Sequence, residues 1–336
     1  NHHSTHTAII LILFLCLGLV FDRQVLASHE VIEAAEPAAR LFLPMTGRGY
    51  RYTEAAGILD PDFDDDGVLV TVMGNNGGIS DLIIQPDGKV LAVGRIFGDV
   101  DWDIGLARYF PDGNLDTRFG KDGIVFTDLE GAEEPQAIAL QQDGKIVVAG
   151  YTLIESTINL DFILVRYNPD GSLDTSFDGD GMVTTDFRED ADYGYDVAVQ
   201  TDGKIIVTGL TMISMNESDI ALVRYNPDGS LDTSFGSEGK VVTASGNFYG
   251  DAAYVVVLQQ DGKIVVGGTI AFVIDGFYYP KMVLARYNQD GSLDTSFAMD
   301  GLAINDIYLV VDTVLHFDLL LQPDNKFVAI WSTFIG

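Results

Sequence analysis

The sequence is nearly empty of the side chains that most enzymes rely on. Cys16 is its single cysteine and lies in an N-terminal apolar run, so a chain freed of that run has neither a disulfide nor a thiol nucleophile. Of the five histidines, His2, His3 and His6 precede the run, His29 lies in the tail behind it, and only His316 sits in a strand-like segment. A nucleophile paired with an imidazole base, or a histidine-held metal, therefore has little to build on. Positive charge is scarce too. Nineteen Lys and Arg face 50 Asp and Glu, for a net charge of −31, which repels phosphate backbones and argues against nucleic-acid binding. Long apolar runs are missing as well. Ala8–Phe21 spans 14 residues, short of the ~20 that cross a bilayer as a helix.

That run suits the apolar stretch of a signal peptide, with Val25-Leu26-Ala27 as the cleavage site after Ala27. The sequence thus predicts a signal peptide over 1–27, a linker over 28–44 and a folded domain over 45–336. It also predicts a secreted or surface-displayed monomer that meets a membrane only if the N-terminal segment stays uncleaved. No small residue stands in Leu13-Phe14-Leu15 before Cys16, which argues against lipidation.

What the chain does have is repetition. Leu164-Val165-Arg166-Tyr167-Asn168-Pro169-Asp170-Gly171-Ser172-Leu173-Asp174-Thr175-Ser176-Phe177 recurs at Leu222–Phe235 and, more loosely, at Leu106–Phe119 and Leu284–Phe297. A second phrase, Gln141-Gln142-Asp143-Gly144-Lys145-Ile146-Val147-Val148-Ala149-Gly150, has copies starting at Gln85, Gln200, Gln259 and Gln322. Its Lys falls at 89, 145, 204, 263 and 326, a period of about 58 residues that points to a repeat architecture.

Each unit reads as four short strands. From Phe177 onward these are Gly181–Thr185, Asp196–Gln200, Lys204–Gly209 and Asp219–Tyr225. Asp202-Gly203 reads as a two-residue hairpin turn with positive φ at both positions. Asn226-Pro227-Asp228-Gly229 is turn chemistry, and Leu231 and Phe235, four apart, form an apolar plug on one helical turn. Four antiparallel strands per unit describe an all-β fold, a β-propeller blade, and the Asp-Gly hairpins argue against a parallel solenoid. Arg51-Tyr52 and Leu59–Phe63 look like the fourth strand and plug of a unit whose first three strands stand at the C-terminus, in Gly301–Ile304, Phe317–Gln322 and Lys326–Trp331. The expected architecture is a five-bladed ring closed by pairing Arg48–Tyr52 with Lys326–Trp331, which removes open sheet edges. A six- or seven-bladed protein cut short is the alternative.

The two phrases together resemble the delta-60 repeat family of bacterial exported proteins, over roughly Arg51 to Trp331. The resemblance implies a β-propeller on secreted or surface proteins and implies no known reaction. The last unit departs from the pattern, with Asn325 for the turn Gly and Ile330-Trp331 for the small residue and Gly that end the strand.

Residues fixed in every unit read as scaffold. The Arg at 51, 108, 166, 224 and 286 is matched by an Asp at 60, 116, 174, 232 and 294, predicting one ion pair per blade. The variable links, Gly98–Asp103, Glu130–Pro135, Leu153–Asp161, Arg188–Tyr195, Ser214–Asp219, Gly246–Ala253 and Phe272–Lys281, all fall at one end of the strands, so one face is constant and the other divergent. Binding on a rigid scaffold usually sits in such loops. The candidate binding residues there are Trp102, Tyr193, Tyr195, Phe248, Tyr249, Tyr278 and Tyr279, with Phe277 beside them, in an acidic setting that suits a glycan or a cationic peptide or protein. No acid pair is singled out by spacing, so no catalytic residue is assigned. Calcium is the one cofactor with a candidate site, at Asp62, Asp64 and Asp66, whose alternating carboxylates are hard-cation ligands. The sequence thus reads as a binding or structural module. The alternative is an exported hydrolase or lactonase-like propeller using carboxylates, with or without calcium, in its central channel.

Overall fold

Ile146-Val147-Val148-Ala149 and Ile163-Leu164-Val165 are continuous rather than alternating apolar runs, so both faces of each strand need cover. Stacked sheets provide it, and all seven residues are fully buried. The structure is a computed structural model that describes residues 10–13, 40–41, 63–64, 68–71, 76–98, 100–129, 131–154, 159–188, 190–214, 217–244, 250–274, 277–298, 300–305 and 313–334.

Three short strands come first, β1 (Ile10–Leu13), β2 (Arg40–Leu41) and β3 (Leu69–Val70). Four antiparallel four-stranded blades follow. Blade one holds β4 (Gly77–Ile84), β5 (Val90–Phe97), β6 (Trp102–Tyr109) and β7 (Ile124–Thr127). Blade two holds β8 (Ala132–Leu140), β9 (Ile146–Ile154), β10 (Asn159–Tyr167) and β11 (Met182–Thr185). Blade three holds β12 (Asp192–Val199), β13 (Ile205–Ser214), β14 (Glu217–Tyr225) and β15 (Lys240–Thr243). Blade four holds β16 (Ala252–Leu258), β17 (Ile264–Ile274), β18 (Phe277–Tyr287) and β19 (Leu302–Ile304). A last sheet pairs β20 (Thr313–Leu321) with β21 (Phe327–Phe334). The innermost strands β4, β8, β12, β16 and β20 adjoin one another in that order. Among the described residues no helix is long and apolar enough to cross a membrane.

The blade frame differs from the sequence reading by one strand. Gly181–Thr185 was expected to open a unit, yet β11 pairs with β10 (Val165↔Met182) and closes the blade before it. The cause is the plug: Gly181, at φ 96°, donates its N–H to Phe177 O and its carbonyl accepts from Arg166 N, which turns the chain back onto its own sheet. The hairpin turn differs as well. Only Gly203 has positive φ (84°); its N–H donates to Gln200 O while Gln200 N donates to Lys204 O, a type I turn with a glycine bulge in place of a two-residue turn. Asn325 takes that position in the last sheet at φ 62°. The plug is a set of turns anchored by an antiparallel bridge between Leu231 and Tyr225.

Blades are joined by three repeated contacts. Phe119, Phe177 and Phe235 are fully buried and Phe297 nearly so, each in the apolar joint between its own blade and the next. Burying such a ring contributes about 1.5–3 kcal/mol relative to leaving it exposed. The plug N–H then reaches the next blade's turn: Gly120 N to Asp170 O, Asp178 N to Asp228 O and Gly236 N to Asp290 O, all at 2.8 Å. Finally, Tyr167, Tyr225 and Tyr287 bond through their hydroxyls to Thr127, Thr185 and Thr243 on the preceding outer strand. The start of the chain repeats all three against blade one, with Phe63 in the joint, Asp64 N to Asp112 O at 3.0 Å and Tyr109 to Thr71 at 2.8 Å.

The outer edge of β21 is occupied by β1, running parallel (Ile10↔Val328), and β3 pairs with β2. Arg48–Tyr52, expected at that edge, lies outside the described residues.

Candidate functional site

The recurrent Arg and Asp do form the expected pair in four blades. Arg166 Nε stands 2.7 Å from Asp174 Oδ2, and the same contact measures 2.6 Å for Arg224–Asp232 and 2.8 Å for Arg286–Asp294. Arg108 Nη2 reaches Asp116 at 2.9 Å. The fifth pair, Arg51–Asp60, lies outside the described residues. Two partners were not foreseen. The turn Lys joins the same carboxylate, as Lys145 does at 2.8 Å from Asp174. Arg166 Nη1 also donates to Pro227 O of the next blade at 2.5 Å. Burial alone would raise the Asp174 carboxyl; Lys145, Ser176 and Arg166 outweigh it and hold it well below the usual range. A groove of about 540 Å³ opens on this constant face between blades two and three, lined by Gln141, Lys145, Arg166 and Gln200. Repeat-fixed residues build it, so it belongs to the scaffold.

The divergent face carries the variable chemistry, and the inner strands position it. Each of β4, β8, β12 and β16 has a bulge that skips one residue: Ser80, Gln136, Tyr195 and Tyr254. Opposite each bulge stands the Gly that ends the second phrase. A Cβ on Gly209 would fall 1.8 Å from Tyr193 O, and one on Gly94 1.9 Å from Gly78 O. In the last sheet Trp331 replaces that Gly. There Phe317 pairs directly with Trp331 and the bulge moves back to between Val314 and His316. The glycine thus admits the bulge, and the bulge sets the residues that follow it at the axis.

Those residues form two groups. The first is an aromatic belt. Tyr151 and Tyr193 meet edge to face at 5.0 Å, Tyr193 and Tyr195 stack at 6.4 Å and 17°, Tyr195 meets Tyr254 at 5.3 Å, and Tyr254 meets Phe317 at 6.3 Å. The belt crosses blades two, three, four and the last sheet, running inward from the divergent rim, and every member is half-buried. The second group is the axial carboxylates Asp81, Asp196 and Asp318. Asp81 accepts from Leu82 N and from Ile138 N of the next blade, at 2.7 and 2.9 Å. Asp196 accepts in the same way from Val197 N and Val256 N, at 2.8 and 2.7 Å. Asp318 accepts from Leu319 N at 2.7 Å. Burial pushes the Asp196 carboxyl up to about 7, with the charges of Asp81 and Asp318 adding to it, and burial also raises Asp81.

Of the sequence candidates among the described residues, Tyr193 and Tyr195 enter the belt. Trp102 stands apart in blade one, half-buried, with the Arg95 guanidinium 4.4 Å above its ring, Phe97 at its edge and Glu134 paired to Arg95. Tyr279 is half-buried in β18, and Tyr278 and Phe277 share that strand. Phe248 and Tyr249 lie outside the described residues, as do Asp62 and Asp66. Asp64 is exposed, at φ 48°, and serves the plug joint through its N–H. Tyr151, Tyr254, Phe317 and the three axial acids were missed. Tyr254 and Phe317 stand five residues, and the axial acids four, before the Gln of the second phrase, while Tyr151 directly follows its closing Gly150; residue type changes from unit to unit in all three columns.

Four stretches, 85–119, 141–177, 200–235 and 259–297, match the model of a family described as a domain of unknown function (DUF5122) beta-propeller. No curated protein matches the sequence. Among solved structures, the chain is similar to a protein of unknown function from Dyadobacter fermentans DSM 18053, at 12% identity and TM-score 0.44, covering 77% of this chain and 76% of that one. It is also similar to an endo-arabinase from Bacteroides thetaiotaomicron VPI-5482, at 8% identity and TM-score 0.40, covering 74% and 86%. A third is the mannose phosphorylase MPT-4 from Leishmania mexicana, at 14% identity and TM-score 0.37, covering 74% and 77%.

Proposed function

We propose that this β-propeller repeat protein is an exported, non-catalytic binding module that takes a glycan on its divergent face. The aromatic belt carries the reading. Five rings from four sheets converge in columns that the repeat leaves free to vary, and flat half-buried rings beside carboxylates suit sugar faces and hydroxyls. The rival reading, a hydrolase working with the axial acids, has less support. Asp81 and Asp196 spend both oxygens on backbone N–H groups that the bulged inner strands would otherwise leave without acceptors. The test is calorimetric titration with a panel of neutral and acidic oligosaccharides, followed by Tyr195→Ala/Tyr254→Ala. Binding lost in the double variant and kept in Trp102→Ala is the expected result. Binding that survives the double variant, or sugar release abolished by Asp196→Asn, would sink the proposal, and binding of a cationic peptide alone would replace the glycan.

In the same reading the matched stretches are delta-60 repeats, cleavage after Ala27 removes β1, and the freed edge of β21 receives the Arg51-Tyr52 stretch antiparallel, giving a monomeric ring of five blades. The repeated plug and tyrosine contacts of Phe63, Asp64 and Thr71 on blade one support closure. Transferring the blade-one register (Val90↔Tyr109) to Phe327 and Tyr52 sets Gly49 opposite Ile330. Gly49→Cys/Ile330→Cys in the protein lacking residues 1–27 should therefore form an intramolecular disulfide under mild oxidation; free thiols after oxidation would refute the closure.

A further inference from the structure

Three carboxylates meet on the divergent face where blades two and three adjoin. Asp161 lies near the start of β10, Asp186 follows β11, and Asp192 opens β12. One oxygen from each lies within 4.8 Å of the others. Oxygens bound to one Ca²⁺ at about 2.4 Å stand no farther apart than about twice that length.

Acidic clusters are common on so acidic a chain, but the floor of this one separates it from the rest. Asp192 is fully buried; its Oδ2 accepts from Phe187 N at 2.6 Å, and its Oδ1 has no hydrogen-bond partner. Thr211, opposite it in the β12–β13 register, is fully buried too; its hydroxyl adjoins the Asp192 carboxylate and makes no well-formed hydrogen bond. Buried oxygens left in that state ask for a ligand that accepts lone pairs. Of the other two carboxylates, Asp161 Oδ1 accepts from Asn159 Nδ2 at 3.3 Å and Asp186 Oδ1 from Arg188 N at 3.0 Å. Lys240 lies near, but its ammonium donates to the Asp186 backbone oxygen at 2.6 Å and faces the Phe187 ring.

The other blade joints vary the same columns in an ordered way. Between blades one and two, Asp101, Asp103 and Asp128 each bring an oxygen within 4.8 Å of the others, and Glu133 stands in the column of Asp192. Glu133 is fully buried and its Oε2 has no hydrogen-bond partner. Between blades three and four the middle acid is Ala244, and Arg188 faces Asp219 at 3.6 Å. Between blade four and the last sheet, Lys281 and Asn305 replace the first two acids. The three-acid set is complete only at these first two joints, where no Ala, Lys or Asn replaces a member.

We propose that Asp161, Asp186 and Asp192, with Thr211 beneath, bind a calcium ion between blades two and three, and that Asp101, Asp103 and Asp128, with Glu133 beside them, form a second site between blades one and two. The ion ties the outer strand of one blade to the inner strand of the next and holds the 186–192 link that leads into Tyr193 and Tyr195. This stands apart from the glycan reading, since it is tested with the metal alone.

Calorimetric titration of the chelator-treated full chain with CaCl₂ should show two equivalents bound, with a higher thermal unfolding midpoint. Asp161→Asn/Asp186→Asn should bind one, and Asp219→Asn, at the third joint, should still bind two. Far-UV circular dichroism without calcium checks that each variant folds. Should the double variant fail that check, Asp186→Asn alone, at an exposed position, is expected to weaken one equivalent. Absence of heat and of any midpoint shift at millimolar calcium overturns the proposal, as does a variant that keeps both equivalents. An equal response to MgCl₂ overturns it as well, because diffuse screening of the negative charge acts alike for both ions.

Discussion

Arg166→Leu is expected to lower the free energy of unfolding by about 3–5 kcal/mol, the range for removing one member of a buried ion pair. The side chain is 4% exposed and serves four partners at once. Its loss leaves Asp174, 5% exposed, with Lys145 as its remaining cation, which places the effect toward the lower end of that range. The Pro227 carbonyl of the next blade loses its charged donor. The guanidinium stacked 4.4 Å from Phe177 is lost as well, a contact of about 0.5–2 kcal/mol depending on desolvation. Arg166→Lys keeps the charge but not the planar fork, so it should fall between the leucine variant and the parent. Arg188→Ala is the control. That side chain is 43% exposed and sits 3.6 Å from Asp219, so its change should stay within about 1 kcal/mol. Urea denaturation followed by fluorescence and circular dichroism measures all three. A loss below about 1 kcal/mol for Arg166→Leu would show that the pair does not join blades.

The repeat made much of this legible. A recurring Arg and Asp eight residues apart announced a pair, and Phe177 and Phe235 announced a plug, because a residue identical in every unit must serve what every unit shares. The constant and divergent faces followed from turn chemistry alone. Pairing partners did not follow. Met182–Thr185 is equally β-prone whichever sheet it joins, and only the reversal at Gly181 decides it. The third member of the ion network was hidden for a related reason: Lys145 is 29 residues from Asp174, and its place in a hairpin turn already explained it. The belt was hidden because no single segment contains it. Tyr151, Tyr193, Tyr195, Tyr254 and Phe317 come from four sheets, and their adjacency exists only once inner strands meet at an axis. Tyr193 and Tyr195 were found because they lie in a variable link. Tyr254 and Phe317 lie inside strands, where an aromatic reads as core.

The strand-ending glycine was legible as a recurrence and not as a cause, and it bears the second large effect. Gly209→Ala is expected to destabilise the protein by about 3 kcal/mol or more, at the upper end of overpacking costs. The added methyl would fall 1.8 Å from Tyr193 O and 2.8 Å from Phe162 Cζ, and backbone sets the first limit. No rotamer change relieves it; the β12 bulge itself must move. Gly78→Ala supplies the contrast, since nothing lies within 4 Å of its added carbon, and it should change stability by less than about 1 kcal/mol. The last sheet shows which way the chain yields. With Trp331 at the glycine position, the ladder is regular at Phe317 and the bulge sits two residues earlier. Gly209→Ala should push β12 toward that arrangement, turning Tyr195 and Asp196 away from Tyr254 and from the Val256 N–H. Near-UV circular dichroism, which reads the packing of the tyrosines, should therefore change more in this variant than in Gly78→Ala, while far-UV signal stays strand-like. Gly209→Ala with unchanged stability and an unchanged near-UV spectrum would show that the bulge does not depend on the glycine, and the link from that column to the aromatic belt would be lost with it.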